Sequence, residues 1–404
     1  MKTIGMICLA LMISACQGPQ APAASPDKRA VGMILASDGL AAADAALASR
    51  PRTPETSFQL GGIRFLRAIE TMLHTRYASY DGSVPFIPGM AAPLPPNPNA
   101  RFSPDFIESA LKGALQHLDG ASTALAAATE GEFATELSLD VLWFDIDGDR
   151  TRAEWESLRV ILESMGAQAD WESFDGKIRF DTADAEWLAA YVHLVSGASE
   201  MVLSVDPTSA IRTVFEGRQQ MAAAGAVGAP DPLFGTDDMI DQLAALLVAL
   251  DGKPDATRTR KALDHFRSMI MHNRKFWPEL MAETDNEHEW LPNPLQTSSF
   301  GIAITAEVAA GWQEVLAEIE EMLEGRALIP FWRTPPGPEG ATTGVGINLR
   351  RLLTDPPDFN VALLIQGASI APYLEQGKLV TLGAWNRFGM LTRGDGLLMA
   401  AILN

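Results

Sequence analysis

The chain has 404 residues, of which 47% are hydrophobic, and a formal net charge of −20 at pH 7. This length suits one large domain or two tightly joined domains. The acidic excess argues against the binding of nucleic acid or anionic lipid through charge. The two cysteines of the chain, Cys8 and Cys16, lie in its first sixteen residues, so the remaining residues have no thiol for a disulfide bond or a metal site.

The first sixteen residues have the composition of a targeting signal. Lys2 precedes an apolar run at residues 4–13, which is too short for a permanent membrane span. With Ile-Ser-Ala-Cys at residues 13–16, this segment resembles a bacterial lipoprotein signal and its lipobox. The resemblance implies cleavage before Cys16 and acyl chains on Cys16, which would anchor the protein to a membrane. Gln17, a residue other than aspartate after that cysteine, implies an outer-membrane lipoprotein of the cell envelope, facing the periplasm or the cell surface.

The segment after Cys16 is predicted to be a flexible tether. Residues 17–27 contain three prolines and few side chains suited to burial. The expected organisation is therefore a signal peptide at residues 1–15, the lipidated cysteine and tether at residues 16–27, and a folded body at residues 28–404.

Helices are predicted along most of the body. Four sites combine a capping side-chain oxygen with proline at the first helical position, namely Ser25-Pro26, Thr53-Pro54, Ser103-Pro104 and Asp206-Pro207. Helical apolar spacing predicts further helices at residues 236–250, 257–276 and 305–323. Because consecutive amphipathic helices bury their apolar stripes by pairing, we expect a mainly α fold of antiparallel helix pairs around one large core.

The pattern changes after residue 329. Short apolar runs, such as residues 361–365 and 379–382, are separated by glycine and proline. This pattern predicts a few short strands in a mixed C-terminal part at residues 329–404.

Residues 145–156 form the most specific motif of the body. They resemble the EF-hand calcium loop over its twelve positions. The resemblance implies five oxygen ligands: the carboxylates of Asp145, Asp147, Asp149 and Glu156, and the main-chain carbonyl of Thr151. Four carboxylates brought this close repel one another unless a cation lies between them, so a bound Ca²⁺ is predicted.

The loop also departs from the EF-hand pattern. Arg150 replaces the glycine of position six, where a left-handed backbone costs a residue with a Cβ atom about 1–2 kcal/mol. A second calcium loop is not recognisable in the sequence, so we expect weak affinity and a structural ion. The entering segment at residues 137–144 suits either a strand or a helix, and residues 151–162 are predicted as an exiting helix. The alternative interpretation is an acidic turn whose aspartates cap local amides.

Histidines and carboxylates define the candidate catalytic residues. Asp285, His288 and Glu289 place an imidazole among carboxylates in a predicted loop, where functional groups tend to lie. Glu70 and His74, one helical turn apart, have the spacing of an acid–base or metal pair, but such helical neighbours are more typical of a surface ion pair. Two further histidines, two turns apart on a predicted helix, suit a structural role better than a soft metal site; they are His265 and His272.

Nucleophile-elbow, zinc-helix and phosphate-loop motifs are not recognisable in the sequence. The sequence therefore favours a lipid-anchored binding or scaffold protein with a structural calcium loop. The first alternative is a periplasmic hydrolase that acts on envelope peptide or glycan through Asp285, His288 and Glu289. The second is a non-catalytic subunit of an envelope assembly. The expected partners are the membrane, through lipid on Cys16, and an envelope protein or glycan.

Overall fold

The computed structural model describes residues 29–80, 94–164, 176–226, 237–335 and 342–404. The predicted signal peptide, the lipidation site Cys16, the tether and the helix start at Ser25-Pro26 lie outside these residues. Helices dominate the described part and strands are short, which confirms the prediction of a mainly α fold.

Thirteen α-helices occur in the described part of the chain. They are α1 (Val31–Ala48), α2 (Pro54–Ser79), α3 (Phe106–Ala128), α4 (Leu158–Ser164), α5 (Thr182–Leu203), α6 (Pro207–Ala223), α7 (Asp237–Ala249), α8 (Ala256–Ala282), α9 (Ala306–Leu323), α10 (Leu349–Thr354), α11 (Val361–Gln366), α12 (Gly383–Leu391) and α13 (Gly396–Leu403). The helices predicted at residues 236–250, 257–276 and 305–323 correspond to α7, α8 and α9, and α8 extends six residues further than predicted.

Two small antiparallel sheets accompany these helices. The first pairs β1 (Ala134–Ser138) with β2 (Lys177–Asp181). The second has the order β3 (Ile329–Pro330), β4 (Thr343–Ile347) and β5 (Leu374–Lys378). The second sheet confirms the prediction of short strands after residue 329.

The two apolar runs offered as strands there were wrong. Residues 361–365 belong to helix α11, whose first turn is capped by the side chain of Asn360 and whose end is capped by Gly367 at φ +102°. Residues 379–382 follow β5, and Leu379 alone continues the pairing, through a bridge to Leu328. Capping groups at both ends therefore outweigh the strand preference of a short apolar run.

Two of the predicted helix starts are confirmed. Thr53 and Asp206 accept hydrogen bonds from the first turns of α2 and α6, and proline follows each of them. Helix α3 begins two residues later than predicted, at Phe106. The reason is local, because the Ser103 hydroxyl donates to the carboxylate of Asp105 rather than capping the helix.

The helices pair in antiparallel fashion. Three contacts connect α5 with α8: Glu186 with His272, His193 with His265, and Glu200 with Arg258. Residue numbers rise along α5 while they fall along α8, so these helices run in opposite directions. Helices α2 and α3 show the same order, since Gly61 lies against Leu125 and Arg64 donates to the carbonyl of Gly120.

The core consists of three main apolar clusters that join through shared aromatic side chains. Trp187 packs against the clusters around α5–α8–α9 and around α2–α3–α5, and Phe180 joins the latter to the cluster around α1. Trp290, from the loop after α8, packs against the first and the third of these regions. The loop at residues 145–156 contributes Ile146, which is fully buried, to the cluster around α1.

Helix α1 is long and apolar enough to cross a membrane by length and composition alone. Its backbone breaks at Gly39, which has φ +78°. A Cβ atom there would lie 3.0 Å from the ring of Trp143, whose Nε1 donates to the carbonyl of Leu35 across 2.8 Å. The break therefore lets α1 bend around Trp143, which precedes the loop at residues 145–156, called here the calcium-type loop.

Candidate metal centre

Three aspartates of the calcium-type loop converge on one point. A carboxylate oxygen from each of Asp145, Asp147 and Asp149 lies within 4.8 Å of the other two. Asp145 is half-buried, and the other two side chains are exposed. The structure thus brings together three of the five residues that the EF-hand resemblance implies as ligands.

Hydrogen bonds inside the loop orient these carboxylates. Asp145 Oδ1 accepts from the N–H of Arg150 at 3.0 Å, and Asp147 Oδ1 accepts from the N–H of Asp149 at 3.0 Å. Asp149 Oδ1 accepts from the N–H of Thr151 at 2.6 Å. Arg150 has φ +63°, so position six is left-handed as the resemblance implies. Each aspartate therefore uses Oδ1 to accept a hydrogen bond within the turn, and its Oδ2 is available to another partner.

Glu156 ties the two ends of the loop together. Its side chain is fully buried, and Oε1 accepts from the N–H groups of Ile146 and Asp147 at 2.8 and 3.3 Å. Oε2 accepts from the N–H of Ala153 at 3.0 Å. Burial raises the pKa of Glu156, and the nearby charge of Asp147 adds to that shift. Glu156 is outside the group of three convergent carboxylates, so its role as a ligand, like that of Thr151, stays a prediction.

The predicted exiting helix at residues 151–162 was wrong as one continuous element. A short 3₁₀-helix at Glu154–Glu156 is followed by Ser157 in an extended conformation, and α4 begins at Leu158. The turn of Glu156 back onto the loop amides interrupts the helix. The entering segment divides as well, with β1 ending at Ser138 and a 3₁₀-helix at Leu139–Val141.

Two side chains of helix α2 hold the calcium-type loop through hydrogen bonds to its backbone. Glu70, which is only 6% exposed, accepts at Oε1 from the N–H of Asp145 at 2.9 Å. His74 Nδ1 lies 2.9 Å from the carbonyl of Ile146. Burial raises the pKa of Glu70, while Arg67 pairs with its Oε2 at 3.1 Å. Glu70 and His74 therefore dock the calcium-type loop, which corrects their interpretation as a surface ion pair.

Asp285, one of the candidate catalytic residues, belongs to a second carboxylate cluster. Oxygen atoms of Asp181, Glu283 and Asp285 lie within 4.8 Å of one another. Asp181 caps the N-terminus of α5, and Glu283 follows the C-terminus of α8. Arg179 pairs with Asp181 at 3.2 Å and also with Asp285. The cluster is thus built around an internal cation.

Burial and mutual repulsion control the charge of this second cluster. Burial, with the charge of Asp181, raises the pKa of Glu283 to about 8. Burial likewise raises the pKa of Asp184 and that of Glu289, and neighbouring carboxylates add to both shifts. Glu283 therefore holds a proton at neutral pH that an exposed carboxyl group would release.

The other two candidate catalytic residues have main-chain roles here. His288 has φ +59°, and its carbonyl accepts from the N–H of Arg179 at 3.0 Å. Glu289 is buried, and its Oε1 accepts from the N–H of Glu287 at 2.9 Å. The first bond attaches the loop after α8 to strand β2, and the second lies within the loop.

Sequence reasoning missed Arg179, Asp181, Asp184 and Glu283. One signal was available, because Asp181 and Asp184 have the three-residue spacing of a capping box, and the structure shows that box at the start of α5. Their meeting with Asp285 depends on contacts between segments about one hundred residues apart, which local patterns do not reveal.

Comparison of the chain with known protein families, with curated proteins and with solved structures finds no match.

Proposed function

We propose that this protein is a lipid-anchored binding or scaffold protein of the cell envelope, in which Ca²⁺ bound at residues 145–156 fixes a surface loop onto helix α2. The observation that carries the calcium assignment is the convergence of Asp145, Asp147 and Asp149 within 4.8 Å. Two oxygen ligands of a calcium ion, each at about 2.4 Å, lie at most about 4.8 Å apart. The carboxylate spacing is therefore compatible with a shared ion.

Charge and exposure support the same assignment. The three aspartates would repel one another in the absence of a cation, and two of them face solvent, from which an ion can enter. Oxygen-only ligand sets of this kind suit Ca²⁺ better than transition metals. The strained Arg150 and the single loop favour weak binding, in the millimolar range of extracellular modules.

The binding or scaffold role is supported by the way the second carboxylate cluster is neutralised. Arg179 pairs with two of its three convergent carboxylates, Asp181 and Asp285. Such an arrangement suits a structural junction between β2, α8 and the following loop. The anchoring part of the proposal rests on the lipobox resemblance at Cys16.

Thermal unfolding of the full chain in detergent tests the calcium assignment. We compare excess Ca²⁺ with chelator for the wild type and for the variant Asp147→Asn, Asp149→Asn. Asparagine keeps the Oδ1 acceptors of the two turns and removes the charges, so the loop is expected to stay folded. At one hundred times its dissociation constant, Ca²⁺ adds about 2.7 kcal/mol to the stability of the wild type, and the variant loses this gain.

Glu154→Gln is the matched control. Glu154 lies in the same loop and is exposed, but it is outside the convergent group. This variant is expected to keep the calcium response. A wild type whose melting temperature is the same in Ca²⁺ and in chelator would show that the aspartates only cap a turn.

The anchor has a separate test. Replacement of Cys16 by serine is expected to abolish incorporation of labelled fatty acid and to release the protein from the membrane fraction. A variant that stays in the membrane fraction without label would remove the anchoring proposal and leave the calcium loop unaffected.

One observation favours the hydrolase alternative. Glu283, with a pKa of about 8, holds a proton at neutral pH within 4.8 Å of carboxylate oxygens of Asp181 and Asp285. A protonated carboxyl beside an ionised one is the usual pair in acid–base hydrolysis of glycosides. Wall-fragment hydrolysis by the wild type that disappears in Glu283→Gln and Asp285→Asn would replace the binding proposal by this one.

A further inference from the structure

Three histidines meet between helices α5 and α8. His193 lies on α5, and its Nδ1 is 2.9 Å from Nδ1 of His265 on α8. The ring of His272, two turns further along α8, stacks on the His193 ring with centroids 5.4 Å apart. The sequence drew attention to His265 and His272 on one helix, but the close nitrogen pair joins two helices.

The partners of these rings define which nitrogens are open. His193 Nε2 lies 3.5 Å from the hydroxyl of Ser122 on α3, so a proton on Nε2 has an acceptor. His272 Nδ1 lies 2.5 Å from Oε2 of Glu186, which is itself buried. With the proton of His193 on Nε2, its Nδ1 lone pair is directed at His265.

Burial favours the neutral form of both imidazoles. Burial, together with His265 and His272, lowers the pKa of His193 to about 4. Burial also lowers the pKa of His265. Neutral imidazole is the form that binds metals.

Charged groups face His265 from three directions. Carboxylates on α3, α5 and α8 act to raise its pKa, and a lysine on α8 opposes them; these groups are Asp119, Glu200, Asp264 and Lys261. Glu200 is also paired with Arg258 at 2.6 Å. The carboxylates make the surroundings of the imidazole pair attractive to a cation.

We propose that His193 and His265 form a binding site for a first-row transition-metal ion such as Zn²⁺, which cross-links α5 to α8 through their Nδ1 atoms. Two imidazole nitrogens at about 2.05 Å from a tetrahedral ion lie about 3.3 Å apart. The observed 2.9 Å therefore needs a widening of about 0.4 Å, which small side-chain rotations supply.

His272 and Glu186 act as positioning residues in this proposal. The stacked His272 ring limits the rotation of His193, and Glu186 fixes the orientation of His272. Carboxylate partners that orient histidines near a metal are a general feature of such sites. This site has nitrogen ligands, whereas the loop at residues 145–156 offers oxygen ligands, so the two sites differ in the ions they select.

Titration of the full chain with ZnSO₄ in calorimetry tests the site directly. The protein is first saturated with Ca²⁺, so that the aspartate loop is occupied. We expect one Zn²⁺ per chain and a higher melting temperature in Zn²⁺ than in chelator. With Co²⁺ in place of Zn²⁺, visible absorption bands of a nitrogen-ligated ion are expected.

Matched variants assign the ligands. His193→Gln and His265→Gln are each expected to weaken Zn²⁺ binding at least tenfold, whereas His272→Gln weakens it less because this ring only positions His193. His117→Gln, a half-buried histidine on α3 outside the trio, is the control and is expected to bind as the wild type does. Each variant is compared with the wild type in chelator, which shows whether it still folds.

Two results would overturn the proposal. One is a wild type that binds no Zn²⁺ and no Co²⁺, which would make the pair a hydrogen-bonded contact of the core. The other is Zn²⁺ binding of equal strength in the wild type and in folded His193→Gln and His265→Gln.

Discussion

The two carboxylate clusters of this protein differ in the groups that stabilise their negative charge. In the loop cluster, Asp145, Asp147 and Asp149 accept hydrogen bonds from N–H groups of their own turn, and one carboxylate oxygen of each lies within 4.8 Å of the other two. In the second cluster, Arg179 lies between Asp181 and Asp285. The protein thus supplies dipoles to the first cluster and a full positive charge to the second.

This difference predicts that the two clusters change the stability of the protein in response to different solution conditions. The loop cluster keeps its negative charge and is expected to gain stability from an external cation. The second cluster already contains a cation and also holds a proton, since the pKa of Glu283 is about 8. We therefore expect the first cluster to respond to Ca²⁺ and the second to pH.

Removal of the internal cation is the largest expected effect. Arg179→Met removes the cation that Asp181 and Asp285 share. These two carboxylates then face each other, and Glu283, without a paired positive charge. Breaking a buried ion pair from one side costs about 3–5 kcal/mol, and the 25% exposure of Arg179 reduces this to about 2–3 kcal/mol. Urea unfolding at pH 7 measures the loss.

Arg387→Met is the control for that variant. Arg387 also pairs with a carboxylate, Glu314, but both side chains are more than half exposed. Exposed pairs of this kind contribute about 0–1 kcal/mol. If the two variants lost equal stability, Arg179 would not be the partner on which the second cluster depends.

Per pH unit, the pH response of the second cluster is the next largest effect. Between pH 4.5 and about 8, Glu283 is ionised in the unfolded chain and protonated in the folded protein. The folded state binds more protons, so the free energy of unfolding falls as pH rises, by at most about 1.4 kcal/mol per unit for this group.

Glu283→Gln is expected to reduce this slope, because the amide does not titrate. Its oxygen can still accept from Gln296 Nε2, which lies 3.1 Å from Glu283 Oε2. Unfolding midpoints in urea from pH 5 to pH 8.5 measure the slope for both proteins. Identical slopes would show that the half-buried carboxyl group of Glu283 does not control the pH response.

Gly148, which lies against helix α2, provides a test of whether α2 shapes the calcium-type loop in the absence of an ion. Gly148 has φ +81°, and a Cβ atom there would lie 3.1 Å from Cε1 of His74. Gly148→Ala is expected to destabilise the protein in chelator by about 1–2 kcal/mol, because alanine is strained in this conformation. Gly32→Ala, whose Cβ would meet open space, serves as the control and should change stability by less than about 0.5 kcal/mol. A harmless Gly148→Ala would mean that α2 does not shape the loop before the ion binds.

The two clusters also differ in how far the sequence predicted them. The loop cluster was predictable because its three aspartates lie within five residues and carry the spacing of a known calcium loop. The helix starts at Thr53 and Asp206 were predictable for the same local reason.

The rest depended on contacts between distant segments. The second cluster joins residues near 180 with residues near 285, and the nitrogen pair joins His193 with His265. Glu156 is a local exception, because its carboxylate, predicted as a ligand, accepts hydrogen bonds from loop N–H groups three to ten residues away. Spacing along the chain therefore predicted the helices and the loop, but not the partners that helix packing brings to them.

The smallest expected effect on stability concerns Arg150. Its φ of +63° costs about 1–2 kcal/mol, which Arg150→Gly would relieve. Glycine loses more conformational entropy on folding, which offsets about 0.5–1 kcal/mol of this gain, so the net change in stability in chelator is below about 1 kcal/mol.

The same substitution also affects calcium binding, because it removes a positive charge from the residue whose N–H is bonded to Asp145. Calcium affinity is therefore expected to rise several-fold, as measured by calorimetry, while the pH slope assigned to Glu283 stays as in the wild type. An unchanged affinity would show that neither the strain nor the charge of Arg150 limits calcium binding. Weak binding would then have to come from Glu156, because its carboxylate already accepts hydrogen bonds from three backbone N–H groups.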